Sequence, residues 1–133
     1  MKDFDFLGDD ALVDALLVET AGLLQTLIAE GVPGSIDLLG LPFAKSSLTN
    51  LEQRLGKGDV SAVLNAAGKS EFHETSFPGV WWSSHADETG RIVALLIEVT
   101  LIPQILLADI EDMQSGQQRL SEATNFNRQR KSV

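Results

Sequence analysis

The chain has 133 residues, of which 44% are hydrophobic, and this length is enough for one domain with a buried core. It contains no cysteine, which excludes a disulfide scaffold, a thiolate metal site and a cysteine nucleophile. Its net charge of −9 repels phosphate backbones, so we expect no nucleic-acid partner.

The first predicted element is a helix over residues 10–30. Apolar side chains recur at helical spacing from Val13 to Ile28, and Gly31 and Pro33 follow where a helix would end. The stripe is wide, which predicts packing across a sheet or another helix. The N-terminus, MKDFDFLGDD, lacks the apolar segment of a secretory signal, and no apolar run of about 18 residues is present. We therefore expect a cytoplasmic protein with no membrane contact.

A connector and a short second helix are predicted next. The connector, Gly34–Phe43, has apolar residues without a helical period, and its proline, Pro42, disfavours helical geometry in the residue before it. We interpret it as an extended segment pinned to the core. The second helix is expected from about Ser46 to Leu55, with a serine as its N-cap and leucines on its buried face.

Four consecutive strands follow, separated by turns that contain glycine. Their predicted ranges are Val60–Ala66, Ser70–Phe77, Gly79–His85 and Arg91–Leu101. In the fourth strand one face is apolar throughout and is predicted to be buried; it carries Val93, Leu95, Ile97, Val99 and Leu101.

A helix is predicted after the strands. Pro103 stops the fourth strand, and Leu106, Ile110 and Met113 have the spacing of a helix packed on the sheet. Residues 114–133 carry a net charge of +3, against −12 over residues 1–112, and have little apolar periodicity. We therefore expect a single domain over residues 8–113 and a weakly structured basic tail over 114–133.

Together these elements indicate an α+β fold. Short turns between consecutive strands favour a four-stranded antiparallel meander. Two helices precede the meander, and a C-terminal helix follows and packs on it.

The paired tryptophans Trp81 and Trp82 lie on one predicted strand, so their side chains point to opposite faces of the sheet. Pairing with the fourth strand, which sets Trp82 across from Leu95, favours Trp82 as the core residue. Trp81 is then either covered by another segment or exposed on an interaction surface. We expect exposure to mark a site for a partner or for self-association.

Glu71, His73, Glu74 and His85 are the candidates for a metal or ligand site. Metal ligands must converge from one side, whereas strand alternation places Glu71 and His73 on one face and Glu74 on the other. A two-residue hairpin turn at Pro78-Gly79 would turn His85 away from His73, although Pro-Gly suits a type II turn, which fits hairpin twist poorly. We find no catalytic constellation, so we expect neither an enzyme nor a bound cofactor.

Several segments resemble one protein family when they are taken together and in order. The chain resembles the C-terminal conserved region of the HupH/HyaF-type hydrogenase expression proteins over about residues 16–110. The resemblance is carried by Leu38-Leu39-Gly40-Leu41-Pro42, by Leu55-Gly56-Lys57-Gly58-Asp59-Val60, by the segment with Ser70-Glu71, Glu74-Thr75 and Phe77-Pro78-Gly79-Val80-Trp81-Trp82, and by Ile97-Glu98-Val99 followed by Pro103. The third of these segments is the most specific.

The resemblance implies a non-enzymatic accessory factor, or chaperone, for the maturation of a nickel–iron uptake hydrogenase. It implies binding to the hydrogenase small (iron–sulfur) subunit before export, together with other accessory proteins. Only one copy of the region is present, so the resemblance leaves open whether the chain acts as a homodimer that mimics a two-copy protein. On this interpretation the expected partner-binding residues are Glu74, Phe77, Pro78, Gly79, Trp81 and Trp82. The alternative is a small metal- or ligand-binding protein that uses Glu71, His73, Glu74 and His85.

Overall fold

The computed structural model describes residues 2–42 and 44–131, and the side chains of residues 11–42 and 44–124. Phe43, the predicted end of the connector, lies outside the described residues. The elements are α1 (Lys2–Glu30), β1 (Gly34–Asp37), α2 (Lys45–Leu55), β2 (Ser61–Asn65), β3 (Lys69–Glu74), β4 (Val80–Ala86), β5 (Ile92–Val99) and α3 (Ile110–Lys131), with a 3-10 turn at Gln104–Leu106. The chain divides into two compact units, Met1–Pro103 and Gln104–Val133.

The first unit is built on a five-stranded antiparallel sheet in the order β1-β5-β4-β3-β2. The α+β class and the β2–β5 meander are as predicted, but the number of strands is not. Residues Gly34–Asp37 of the predicted connector form an additional edge strand between the two helices, paired with β5 from Gly34↔Val99 to Asp37↔Leu96. The strand continues as extended backbone, since Leu38 N–H donates to the Leu95 carbonyl at 2.9 Å.

The strand pairings are offset by two residues from those expected. Trp82 pairs with Ile97 rather than Leu95. His73, which a two-residue turn at Pro78-Gly79 would set across from Ser84, pairs with Trp82. Because side chains alternate with a period of two, an offset of two keeps these side chains on their predicted faces, up to the irregularity between His85 and Ala86. The face assignments therefore hold although the partners differ.

The core of the first unit lies between α1, α2 and one face of the sheet. Helix α1 contributes Val13, Leu16 and Leu27, α2 contributes Leu51 and Leu55, and the strands contribute Ile36, Val80, Trp82, Ile97 and Val99. Residues Ala11–Glu30 of α1 are long and apolar enough to cross a membrane by length and composition, but here their buried stripe belongs to this core.

The apolar face predicted for β5 is buried only in part. Ile97 and Val99 are completely buried and Leu95 is half-buried, whereas Val93 and Leu101 are exposed. The strand ends at Val99, so Leu101 lies beyond it, and Val93 lies at the opposite end, beside the β4–β5 turn. The prediction of a fully buried face was therefore wrong at both ends.

The second unit contains α3, which continues to Lys131, well beyond Met113, where the sequence pattern weakens. Ile110 and Met113, predicted for its buried face, are exposed. The packing of this helix on the sheet and the domain limits at residues 8, 113 and 114 stay predictions.

Candidate partner-binding site

The β3–β4 turn carries three of the predicted binding residues and is internally braced. Val80 N–H donates to the Phe77 carbonyl at 3.0 Å, and Gly79 has a φ of +89°, so Phe77–Val80 form a type II turn with Pro78 at its second position. The buried hydroxyl of Thr75 accepts from Phe77 N–H at 3.1 Å and lies 3.2 Å from the Phe77 carbonyl. These bonds explain why a Pro-Gly turn occurs here: it lies within a longer loop closed by Thr75.

The α2–β2 connection packs directly on this turn. Gly58 N–H donates to the Glu74 carbonyl at 2.7 Å, and Ser76 N–H donates to the Leu55 carbonyl at 2.9 Å. A side chain at Gly58 would place its Cβ 2.7 Å from the Thr75 carbonyl oxygen, and one at Gly56 would overlap Ser76. Two segments that carry the family resemblance are therefore in contact, and glycine is needed where their backbones meet.

Helix α1 and strand β5 hold the turn from the other side. A Cβ on Gly79 would lie 3.1 Å from Leu24 Cδ1 and 3.7 Å from Leu27 Cδ2, so the glycine sits against the helix. Thr100 N–H donates to the Gly79 carbonyl at 2.9 Å. The turn thus has a fixed position relative to α1, α2 and β5.

An apolar cleft of about 270 Å³ opens beside this turn, and we call it the Phe77 cleft. It is lined by Leu17, Thr20, Ala21 and Leu24 of α1, Arg54 and Leu55 of α2, Phe77 and Val80. Phe77 is 49% exposed although it is a large apolar side chain. An apolar concavity with an exposed aromatic side chain at its edge is suited to an apolar ligand group.

Polar groups in the Phe77 cleft are largely satisfied within the protein. The Thr20 hydroxyl donates to the Leu16 carbonyl of its own helix at 2.7 Å. Arg54 Nη1 donates to Asp14 Oδ1 at 2.6 Å, in an exposed ion pair. The lining of the cleft is therefore mainly apolar, and its one cationic side chain, Arg54, is already paired with Asp14.

Both tryptophans are buried, although their side chains lie on opposite faces of the sheet. Trp82 belongs to the helix-covered core, as predicted. Trp81 lies on the opposite sheet face, paired with Glu74 and Glu98, and is only 4% exposed; its Nε1 has no hydrogen-bond partner. Of the two alternatives left open, the covered tryptophan describes this structure, and Trp81 exposes little surface for direct contact.

The remaining predicted residues differ in exposure. Pro78 is exposed, while Gly79 and Glu74 are half-buried. Glu74 Oε1 would lie 2.8 Å from a Cβ at Gly58, so this side chain lies against the α2–β2 connection. Phe77 and Pro78 are therefore the predicted residues that a partner can reach most directly.

The four residues of the metal alternative do not converge. The register places Glu71 and His73 on one sheet face and Glu74 and His85 on the other. His85 Nδ1 lies 2.8 Å from Ser70 Oγ. Among the residues described, no three His, Asp or Glu side chains are grouped as metal ligands. This geometry gives the metal alternative no support.

His73 has a distinct environment on the core side. Its ring stacks on Trp82 at a centroid distance of 6.5 Å, and its buried Nε2 has no hydrogen-bond partner. Burial lowers the pKa of His73 below its ordinary value of 6.5; Glu52, whose Oε2 lies 4.0 Å away, opposes this shift, and Lys57 adds to it. The histidine therefore acts as a neutral packing group near neutral pH.

The α1 residues that line the Phe77 cleft were not predicted from the sequence as part of a site. Leu17 and Leu24 were predicted to lie on the apolar stripe of α1, but the stripe was assigned entirely to the core. The width of the apolar stripe was the available signal, because it is wider than the core can cover. Val13 and Leu16 are buried, whereas Leu17 and Leu24 at the margin are only half-buried. Nothing in the local sequence marks Arg54 as a neighbour of Phe77.

Comparison with known proteins agrees with the resemblance. A family model described as "HupH hydrogenase expression protein, C-terminal conserved region" matches residues 12–126. The solved structure of the hydrogenase expression protein HupH from Thiobacillus denitrificans ATCC 25259 superposes with a TM-score of 0.83 at 34% identity, covering 85% of this chain and 94% of that one.

Curated relatives of this chain are also named as hydrogenase expression or hydrogenase operon proteins. The hydrogenase expression/formation protein HoxQ of Azotobacter vinelandii is 32% identical over 71% of this chain and 33% of its own length. HupH of Rhodobacter capsulatus is 32% identical over 69% of this chain and 34% of its own length, and the hydrogenase-1 operon protein HyaF of Escherichia coli K12 is 27% identical over 88% and 41%. The chain thus spans about a third of the length of the first two.

Proposed function

The chain belongs to the HupH hydrogenase expression protein family, within the C-terminal conserved region of that family, and from this premise we propose that it is a non-enzymatic accessory factor for hydrogenase maturation. Its relatives are named hydrogenase expression/formation proteins, which supports an accessory role. We further propose that it works in the cytoplasm and binds the hydrogenase small (iron–sulfur) subunit before export.

The observation that carries the proposal is the meeting of the family-specific segments around one cleft. Leu55-Gly56-Lys57-Gly58 and the Glu74–Trp82 segment are distant in sequence, yet hydrogen bonds join them beside the Phe77 cleft. A Cβ at Gly56 or Gly58 would clash with Ser76 or the Thr75 carbonyl, so the close contact that fixes the turn depends on these glycines. A turn held in place beside an apolar cleft is pre-organised for binding, which reduces the ordering cost of association.

We propose that the occupant of the Phe77 cleft is an apolar segment of the small subunit. Phe77 and Pro78 make direct contact, and Gly79 allows the turn to approach α1. Glu74, Trp81 and Trp82 act indirectly, because they stabilise β3 and β4, the two strands that the turn connects. The apolar lining supports an apolar side chain as the inserted group, because burying it removes both surfaces from water.

The proposal is tested by binding of the purified chain to isolated hydrogenase subunits. We expect the small subunit to be retained and the large subunit not to be. Phe77→Ala should weaken binding at least about tenfold, because aromatic residues in apolar clefts dominate interface energetics. Val63→Ala is the matched control: Val63 is 54% exposed, but it lies on β2 and does not line the cleft.

A second variant fills the cleft rather than removing a contact. Ala21 is exposed on α1 and lines the cleft, so Ala21→Leu should occlude it while preserving helix propensity. Loss of binding in both Phe77→Ala and Ala21→Leu, with Val63→Ala unaffected, supports the Phe77 cleft. Retention of the small subunit by both variants would place the binding surface elsewhere, and failure of the native chain to bind it would refute the choice of partner.

A further inference from the structure

Strand β2 forms one edge of the sheet, and this edge is unprotected. In the part of the first unit that the structure describes, β2 pairs with β3 on one side and with no strand on the other. Charged side chains, proline and bulges are the features that keep edge strands from pairing with other chains. No charged residue and no proline occurs from Val60 to Gly68, and the pairing with β3 is regular over all five residues of β2.

The other edge strand, β1, carries such protection. It has only four residues, it is preceded by Pro33, and it ends at Asp37. Its first residue, Gly34, also lies against Leu23 of α1. The difference between the two edges indicates that β2 is the one that can accept a further strand.

Two hydrogen bonds at the ends of β2 show which backbone groups face this edge. The Val60 carbonyl accepts from Glu74 N–H at 2.9 Å, and Ala66 N–H donates to the Gly68 carbonyl at 3.0 Å. In an antiparallel pair, residues that direct both N–H and C=O to the partner strand alternate with residues that direct both away. The even-numbered residues of β2 therefore bond to β3. The residues that direct their backbone groups outwards, which are also the exposed residues of the strand, are Ser61, Val63 and Asn65.

The sequence of β2 is self-complementary about Val63. Antiparallel pairing with a second β2, across a two-fold axis at this residue, sets Val63 against its own copy. The other pairs formed are Ser61 with Asn65 and Ala62 with Leu64. Because Val63 directs both backbone groups outwards, it can exchange two hydrogen bonds with its copy. Polar residues thus meet polar residues, apolar residues meet apolar ones, and no like charges are brought together.

We infer that β2 pairs with β2 of a second copy of this chain, antiparallel and centred on Val63, so that the two five-stranded sheets become one. Closed two-fold dimers use the same surface on both copies, and this pairing meets that requirement. Val63, which is 54% exposed in one chain, then packs on its own copy on the face of the sheet that carries Trp82. The edge lies apart from the Phe77 cleft, so the inference does not depend on the proposed hydrogenase partner.

The first test is the molar mass of the full chain, measured by sedimentation and light scattering over a range of concentrations. A five-residue strand is small beside a standard interface of about 1,600 Å², so we expect a dimer that dissociates on dilution. The mass should rise with concentration from 14.4 kDa towards twice that value. A mass that stays at that of one chain up to about 1 mM overturns the inference.

Amide hydrogen exchange tests which backbone groups are paired. The amide of Val63 should exchange quickly in dilute protein and become protected as the dimer forms, whereas those of Ala62 and Leu64, which bond to β3, should be protected at both concentrations. Dimerisation without this change at Val63 would place the interface elsewhere. A monomeric chain in which Val63 becomes protected only when the hydrogenase small subunit is added would also overturn the inference, because the edge would then bind a strand of that partner.

Charge substitution at Val63 tests the two-fold symmetry. Val63→Lys and Val63→Glu each set two like charges directly opposite one another, so each should weaken the dimer about tenfold. An equimolar mixture of the two variants should recover a heterodimer, because opposite charges then meet. Ser35→Lys is the control, since Ser35 is exposed on β1 at the other edge, and it should leave the mass unchanged. Native-like dimers of both Val63 variants would overturn the inference.

Cysteine substitution tests direction and register, because the chain has no cysteine of its own. In the inferred pairing the two Cα atoms at position 63 lie about 5.5 Å apart, within disulfide reach, whereas those at position 61 are offset by about 13 Å along the strands. Val63→Cys should therefore form a crosslinked dimer under mild oxidation, and Ser61→Cys should not. Crosslinking of Ser61→Cys to its own copy would indicate parallel strands in register and would overturn the antiparallel arrangement.

Discussion

The backbone N–H of Gly58 donates a 2.7 Å hydrogen bond to the carbonyl oxygen of Glu74, and this bond fixes the α2–β2 connection on the β3–β4 turn. The bond is short because position 58 has no side chain. A Cβ there would lie 2.7 Å from the Thr75 carbonyl oxygen and 2.8 Å from Glu74 Oε1. The carbonyl is backbone and cannot swing away as a side chain would.

Replacement of Gly58 by alanine is therefore expected to destabilise the protein by about 1–3 kcal/mol, because the two backbones must separate. The measurement is the free energy of unfolding in denaturant. Gly40→Ala is the control, since a Cβ on Gly40 meets nothing within 4 Å. Equal stability of the two variants would show that the connection yields without cost.

Truncation of Ile97 to alanine should cost about 2–5 kcal/mol, because Ile97 is completely buried in the helix-covered core. Val93→Ala on the same strand removes an exposed side chain and should change the free energy of unfolding by less than about 0.5 kcal/mol. A similar loss in both variants would contradict the burial gradient along β5.

Trp81→Ala should destabilise the fold by about 3–5 kcal/mol, because nearly all of a large side chain is withdrawn from water. Its buried Nε1 has no acceptor, so Trp81→Phe removes no hydrogen bond and should be the milder change. Thermal unfolding of the two variants checks the order. A stable Trp81→Ala protein with weakened partner binding would instead assign Trp81 to the interface.

His73 should make stability fall as the pH is lowered. Its folded-state pKa lies below the unfolded value of 6.5, mainly because of burial, so the unfolded chain binds a proton more readily. The stability contributed by the neutral ring is present above about pH 6.5 and is lost as the pH falls through the folded pKa. Urea unfolding at about pH 7 and about pH 5 should show a larger loss for the native chain than for His73→Gln, and parallel losses would exclude this histidine as the cause.

The sequence predicted which faces the strands present, but not which residues pair across them. Alternation is a local property, so Trp82 was placed on the core face although it pairs with Ile97 rather than Leu95. Register depends on loop geometry. The Thr75 hydroxyl closes a longer loop around Phe77-Pro78-Gly79 between β3 and β4, and an irregularity at His85/Ala86 shifts β4 against β5. The sheet face of Trp82 was therefore predicted correctly, whereas its partner on the neighbouring strand was not.

Edge strands and clefts depend on distant parts of the chain and were correspondingly harder to predict. Gly34–Asp37 is too short for its alternation to stand out, and only its pairing with β5 makes it a strand. The turn half of the Phe77 cleft was predicted from the Phe77-Pro78-Gly79 segment. The α1 half required knowledge of where the helix crosses the sheet, which no local pattern contains.

The pairing of β1 with β5 also has a consequence for how the chain matures during synthesis. Helix α1 and β1 leave the ribosome before the other strands of the sheet, but the strand that β1 joins is the last of the sheet to be made. The hairpins from β2 to β5 close over short distances, whereas the outer edge must wait for a long loop to close. Until Val99 has emerged, the apolar stripe of α1 has no complete sheet to cover, so the nascent chain passes through a stage in which this helix is exposed to other proteins in the cell.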